Sequence, residues 1–208
     1  METKTRFTNK FEIPDHFLNE FYSETLTSSF DPRSQNIPDG TENSLVSLIA
    51  IDLNQVLEWL LDHPFPRVME NEPCGTPVLL YVSNFSTKHI LFYYDGTASS
   101  VYLIDHFLKL FKDLIKESKA TIISPSFIPK SRLKEEEEVI LKVSQATKET
   151  SFIKLNFSKI GDFWSYATKH KCTMLIVSKK HQSDLSKILF NFYSAGIWDE
   201  NLSFYLSL

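Results

Sequence analysis

Between Lys88 and Leu208 short apolar runs alternate with helical stripes, and almost no chain is left over for long loops. Ile90–Tyr94 is an apolar run suited to a strand buried on both faces. The segment after it places Ile104, Phe107, Leu108, Phe111, Leu114 and Ile115 on one stripe at helical spacing. Ala120–Ser124 is the next strand, and Pro125 and Pro129 mark the loop behind it. Leu133, Ile140, Val143 and Ala146 then keep helical phase, and Ser151–Phe157 is a third strand. Ile160, Phe163, Trp164 and Ala167 form another stripe, which Ser158 is placed to cap. Thr173–Ser178 is a fourth strand, Leu185, Ile188, Leu189 and Phe192 a fourth stripe, and Leu202–Leu208 a fifth strand.

Strands alternating with helices of this length imply a mostly parallel sheet covered on both faces, because right-handed crossovers place helices there. The expected fold is therefore a three-layer α/β/α arrangement, Rossmann-like, with a mostly parallel five-stranded sheet over residues 88–208. Residues 1–87 supply only part of such a domain. Pro14–Leu26 has helical spacing, residues 32–40 read as a loop, and Leu45–Ile51 reads as a strand. Leu53–Leu61 is a helix with Leu53, Val56, Leu57 and Leu60 in phase, which HPFP at His63–Pro66 stops, and Pro77–Val82 is a second strand.

The net charge of −4 supplies no basic field, which argues against nucleic-acid or anionic-membrane binding. No stretch approaches the roughly 18 apolar residues of a membrane span, and Met1–Phe11 has no apolar signal-peptide core. A cytoplasmic protein without a membrane partner is expected. Cys74 and Cys172 are far apart and lack metal-like spacing, so neither a disulfide framework nor a metal site is expected. The acidic run Glu135–Glu138 reads as solvent-facing residues that favour a helix start through its dipole.

Three stretches resemble the universal stress protein family, in its two-domain form with tandem halves in one chain. ILFYYDGTASSVYLIDHFLKLF at 90–111 is similar to the family's first strand, Asp-Gly-Ser turn and first helix. NEPCGTPVLLYV at 71–82 is similar to the end of one domain just before the next begins, and FWSYATKHKCTMLIVSKKHQSDLSKILF at 163–190 to the third helix, fourth strand and fourth helix. The resemblance covers about 88–208 in order, with 1–87 a reduced leading half. It implies a regulatory, stress-associated role exerted through dimerisation or partner binding, and no enzymatic activity.

In nucleotide-binding members the fourth strand is followed by Gly-x-x-Gly and, nine residues later, Gly-Ser or Gly-Thr, whose backbone N–H groups approach phosphates. Lys179 and Gln182 stand at the first two of those glycines and Phe192 at the third; the chain's five glycines, at 40, 75, 96, 161 and 196, all lie elsewhere. The expected site is thus vestigial: Asp95, Gly96 and Thr97 at the first turn, with Ser178, Lys179 and Lys180 after the fourth strand. Asp95 has two readings, a nucleoside contact or a helix cap beside a turn glycine, of which the cap is favoured. Lys179 and Lys180 either hold a phosphate as point charges or lie in a solvated loop, the second being favoured. No cofactor is expected. The alternatives are weak ATP or AMP binding or slow hydrolysis by Asp95 with Lys179 and Lys180, and a purely structural interaction module.

His170, Cys172 and His181 lack a further ligand and read as packing and surface residues; Ser99 and Ser100 read as helix-start residues, without the elbow or triad of a nucleophile. The apolar ending needs cover, since an exposed hydrophobic edge strand invites uncontrolled pairing. In the family the fifth strand meets its counterpart antiparallel. The pairing edge is accordingly assigned to Leu202, Phe204 and Leu206, against Val78, Leu80 and Val82 of the same chain or the same strand of a second copy.

Overall fold

The computed structural model describes residues 48–62, 76–196 and 201–208. The helix over Pro14–Leu26, the loop over 32–40, the stop at His63–Pro66 and Cys74 lie outside them. In chain order the elements are β1 (Ile49–Asp52), α1 (Leu53–Asp62), β2 (Val78–Tyr81), β3 (His89–Tyr93), α2 (Ala98–Leu110), β4 (Lys119–Ser124), α3 (Leu133–Ala146), β5 (Glu149–Lys154), α4 (Ile160–Lys169), β6 (Met174–Ser178), α5 (Gln182–Ser194) and β7 (Ser203–Ser207).

All the described strands join one seven-stranded sheet in the order β1-β2-β7-β6-β3-β4-β5. Every pairing is parallel except β2 with β7. The sheet therefore does not stop at the five strands of 88–208: the two strands of the leading segment extend it past β7. Alternation along β3 sends Ile90, Phe92 and Tyr94 into one core layer with Leu103, Phe107 and Val139, while Leu91 enters the other with Phe163, Trp164 and Leu185. Burying each large apolar side chain contributes about 1.5–3 kcal/mol, and both faces of the sheet are filled in this way.

The joint between β2 and β7 explains the apolar ending. Val78 pairs with Leu206, Leu79 with Tyr205 and Leu80 with Phe204, while the other side of β7 pairs with β6. The Val82 amide donates to the Ser203 hydroxyl at 3.2 Å, and Leu202, Phe204 and Leu206 are buried with Val82 in the same layer. On one face of β7 Phe204 stacks on Trp164, which stacks on Phe192; on the other Tyr205 packs edge-on against Phe107 and Phe111. With both hydrogen-bonding edges of β7 occupied inside the chain, pairing through the same strand of a second copy has no free edge to use.

Three local readings change. The α4 start is closed not by Ser158 but by Asp162, whose carboxylate accepts from the Ser158 and Lys159 amides at 3.2 and 3.1 Å. On α3 Leu133 is 42 % exposed, whereas Val143 is buried and Ile140 and Ala146 pack against the core as expected; Glu136 and Val139 complete the buried stripe. Glu136 does not face water: Ser124 Oγ and Lys154 Nζ each donate to its Oε1 at 2.5 Å, so a buried carboxylate pins the start of α3 to the ends of β4 and β5. A buried charge is tolerated only when paired and hydrogen-bonded, and here Lys154 supplies the counter-charge.

Candidate functional site

The strand order reverses at β3, which pairs with β4 on one side and β6 on the other. Adjacent connections leave in opposite directions there, opening a crevice at the carboxyl ends of the two strands. The turn after β3 carries Asp95, Gly96 and Thr97; the turn after β6 carries Ser178, Lys179 and Lys180.

The first turn is closed on itself. Asp95 Oδ1 accepts from the Thr97 amide at 2.9 Å and from the Thr97 hydroxyl at 2.6 Å. Thr97 is the cap of α2, accepting from the Ser100 amide at 3.3 Å, while the Ser100 hydroxyl donates back to the Thr97 carbonyl at 2.8 Å. The cap is therefore Thr97 and not Asp95, which acts one step upstream by orienting the capping hydroxyl. Burial pushes the Asp95 carboxyl up, but hydrogen bonds from Thr97 and Ser100 and the charge of Lys180 outweigh it, holding the group below its ordinary value. Gly96 has φ +79°, a left-handed conformation that glycine adopts without steric cost. Ile128, almost fully buried, lies 3.6 Å from the position a Cβ on Gly96 would take and roofs the turn.

Across the crevice Ser178 accepts from the Lys180 amide at 3.3 Å and starts the 3-10 turn Lys179–His181. Lys180 is exposed and its charge reaches Asp95. Lys179 is not solvated. It is 4 % exposed, and its ammonium donates to the Thr76 carbonyl in the leading segment. Gln182 opens the first turn of α5 and is exposed, and Phe192 stacks on Trp164. Between the two turns Tyr93 packs on Phe163 at 4.3 Å and on His181 at 5.7 Å, giving an aromatic floor.

Of the residues expected at the site, Asp95, Gly96, Thr97, Ser178 and Lys180 come together, whereas Lys179 turns away. Ile128 and Glu136 were not foreseen. Nothing local marks Ile128, but Glu136 stands three and seven residues before Val139 and Val143, which is the buried phase of α3. The Tyr94 hydroxyl is buried and has no hydrogen-bond partner among the described residues. Cys172 is buried, its thiol pushed up to about 12 by desolvation. Among the described residues no group of His, Cys, Asp and Glu is arranged to hold a metal ion, and no helix is long and apolar enough to cross a membrane.

No protein-family model matches the chain, and no curated protein matches it. Solved structures with a similar fold include a universal stress protein from Archaeoglobus fulgidus DSM 4304, at 11% identity and a TM-score of 0.43, over 77% of this chain and 60% of that one. A universal stress protein in complex with cAMP is similar at 16% identity and a TM-score of 0.38, over 54% of this chain and 88% of its own. A member of the same family from Burkholderia pseudomallei is similar at 11% identity and a TM-score of 0.35, over 49% and 89%. At this level the similarity is one of fold.

Proposed function

We propose that this protein is a regulatory module of the universal-stress-protein type, working in a stress response by binding a protein partner and not by catalysis. The observation that carries the reading is the fate of Lys179. At the position where the family resemblance places the first phosphate-cradling glycine, a lysine is buried and spent on joining the complete half to the leading segment. Backbone N–H groups cannot wrap a phosphate where the chain passes from the strand through one 3-10 turn directly into a helix without glycine. The closed Asp95–Thr97 turn supports the same conclusion, because its carboxylate and its cap are satisfied by each other.

A second reading is kept open by one feature. Asp95 is held ionised with the exposed Lys180 nearby, a pair that suits weak contact with the ribose and phosphate of an adenine nucleotide. Thermal unfolding with ATP, AMP and cAMP separates the two, since a ligand that binds only the folded chain raises its apparent stability by mass action. No rise is expected with any of them at nucleotide concentrations of about 1–5 mM. A saturable rise that Asp95→Ala abolishes would replace the regulatory-module reading with that of an adenine-nucleotide sensor.

A further inference from the structure

The opposite pole of the sheet holds a second cleft, independent of the crevice described above. His89, Lys119 and Glu149 begin β3, β4 and β5 and stand side by side in register. One pleat further along, on the same face, come Thr121 and Ser151. Tyr166 and His170, at the end of α4, form the facing wall, with their rings stacked at 4.1 Å and 22°. These side chains enclose about 240 Å3. That is below the roughly 300–1,000 Å3 of cavities that hold drug-sized ligands, a volume suited only to a small molecule.

The walls are fixed. His89 Nε2 is 3.1 Å from the Thr121 hydroxyl, tying β3 to β4, and the Thr173 amide just past α4 donates to the His89 carbonyl at 2.7 Å. The lip is not fixed in the same way. Lys119 and Glu149 form an ion pair at 2.7 Å, with side chains 62 % and 58 % exposed. Exposed pairs of this kind contribute little to stability and part readily. The cleft thus presents one separable positive and one separable negative charge above a polar floor and an aromatic wall.

We propose that this cleft binds a free amino acid as its zwitterion. The ligand carboxylate takes Lys119, its ammonium takes Glu149, and its body lies against Tyr166 and His170 above Thr121 and Ser151. Both halves of the exposed ion pair are re-paired, so neither charge is left uncompensated on binding. A simple carboxylate or a simple amine satisfies one side only and leaves the other to solvent.

The test is a titration of the 15N-labelled full chain with the free L-amino acids, read at the backbone amides of His89, Lys119 and Ser151. The best binder is then compared with its N-acetyl form, which keeps only the carboxylate, and its amide, which keeps only the ammonium. Saturable shifts are expected for at least one free amino acid, with both blocked forms about tenfold weaker or worse, the scale of one lost charge-assisted hydrogen bond. Lys119→Met and Glu149→Gln should each weaken binding similarly; both side chains are exposed, and a variant that nonetheless unfolds leaves the decision to the blocked ligands on the parent chain. Absence of saturable shifts up to about 10 mM, equal binding of the blocked forms or of glucose, or full binding by the double variant would each overturn the assignment. None of these outcomes bears on the nucleotide experiment, which reads the other pole.

Discussion

Gly96 concentrates the special backbone geometry of the carboxyl-end turn in one residue. Its φ of +79° is free for glycine and costly for any residue with a branched Cβ, while the space around it is ordinary: the nearest atoms of Ile128 would sit 3.6 Å from an added Cβ. Gly96→Val is therefore expected to destabilise by about 1–3 kcal/mol through backbone conformation and not through a clash. Urea midpoints of parent and variant measure this, and coincident midpoints would show that the turn relaxes without cost. The neighbouring Asp95 belongs to the same device. Its carboxylate holds the Thr97 hydroxyl in place, so the turn is rigid because Asp95, Thr97 and Ser100 answer one another's hydrogen bonds.

Among the elements, β7 has the largest consequences. All five of its residues are buried, it separates β6 from β2, and it holds one partner parallel and the other antiparallel. Phe204→Ala removes a ring stacked on Trp164 and is expected to cost about 3–5 kcal/mol, the range for deleting a buried aromatic side chain. Removal of residues 195–208 should have a larger effect, yielding aggregated or unfolded protein, because it exposes the β6 edge and leaves β1 and β2 without a sheet to join. A soluble deletion variant with unchanged mass by light scattering and unchanged melting temperature would refute the central place given to this strand. Helix α3 shows the same interdependence on a smaller scale: its acidic start is anchored because Glu136 reaches across to Ser124 and Lys154.

For the molecule as a whole, acid should act in two stages. Burial is the main cause that holds the His89 and His106 rings below the ordinary value of 6.5, with Lys119 adding to it for His89 and Lys109 for His106; at His89 the His170 carbonyl and Glu149 oppose it. Above 6.5 both folded and unfolded rings are neutral and nothing is lost. Below it the unfolded chain takes up protons that the folded chain resists, so stability falls until the pH reaches the folded values. Asp95 adds a later stage, because its lowered carboxyl keeps its contribution above 3.8 and loses it as the pH drops through the folded value. Urea midpoints should accordingly decline from about pH 7 to pH 5, and the double variant His89→Gln, His106→Gln should flatten that first decline. A parent profile that is level over this range would contradict the burial of the two rings.

Periodicity by itself determined the layers. The switch between short apolar runs and helical stripes after Lys88 made a mostly parallel, doubly covered sheet the expected arrangement, and the largely apolar 202–208 announced a strand in need of cover. The Asp-Gly turn was visible for a similar reason, since a glycine at the start of a helix marks a special backbone conformation. What lay across from each element was decided only by the tertiary structure. The strand that covers β7, its antiparallel direction, the Thr76 carbonyl that receives Lys179, and the carboxylate of Glu136 inside an acidic run all depend on contacts between segments distant in sequence. A hydrophobic pattern reports which side of its own element a residue occupies. It carries no record of which other element arrives there, and a lysine or glutamate long enough to reach a distant partner is indistinguishable, in one dimension, from one that reaches water.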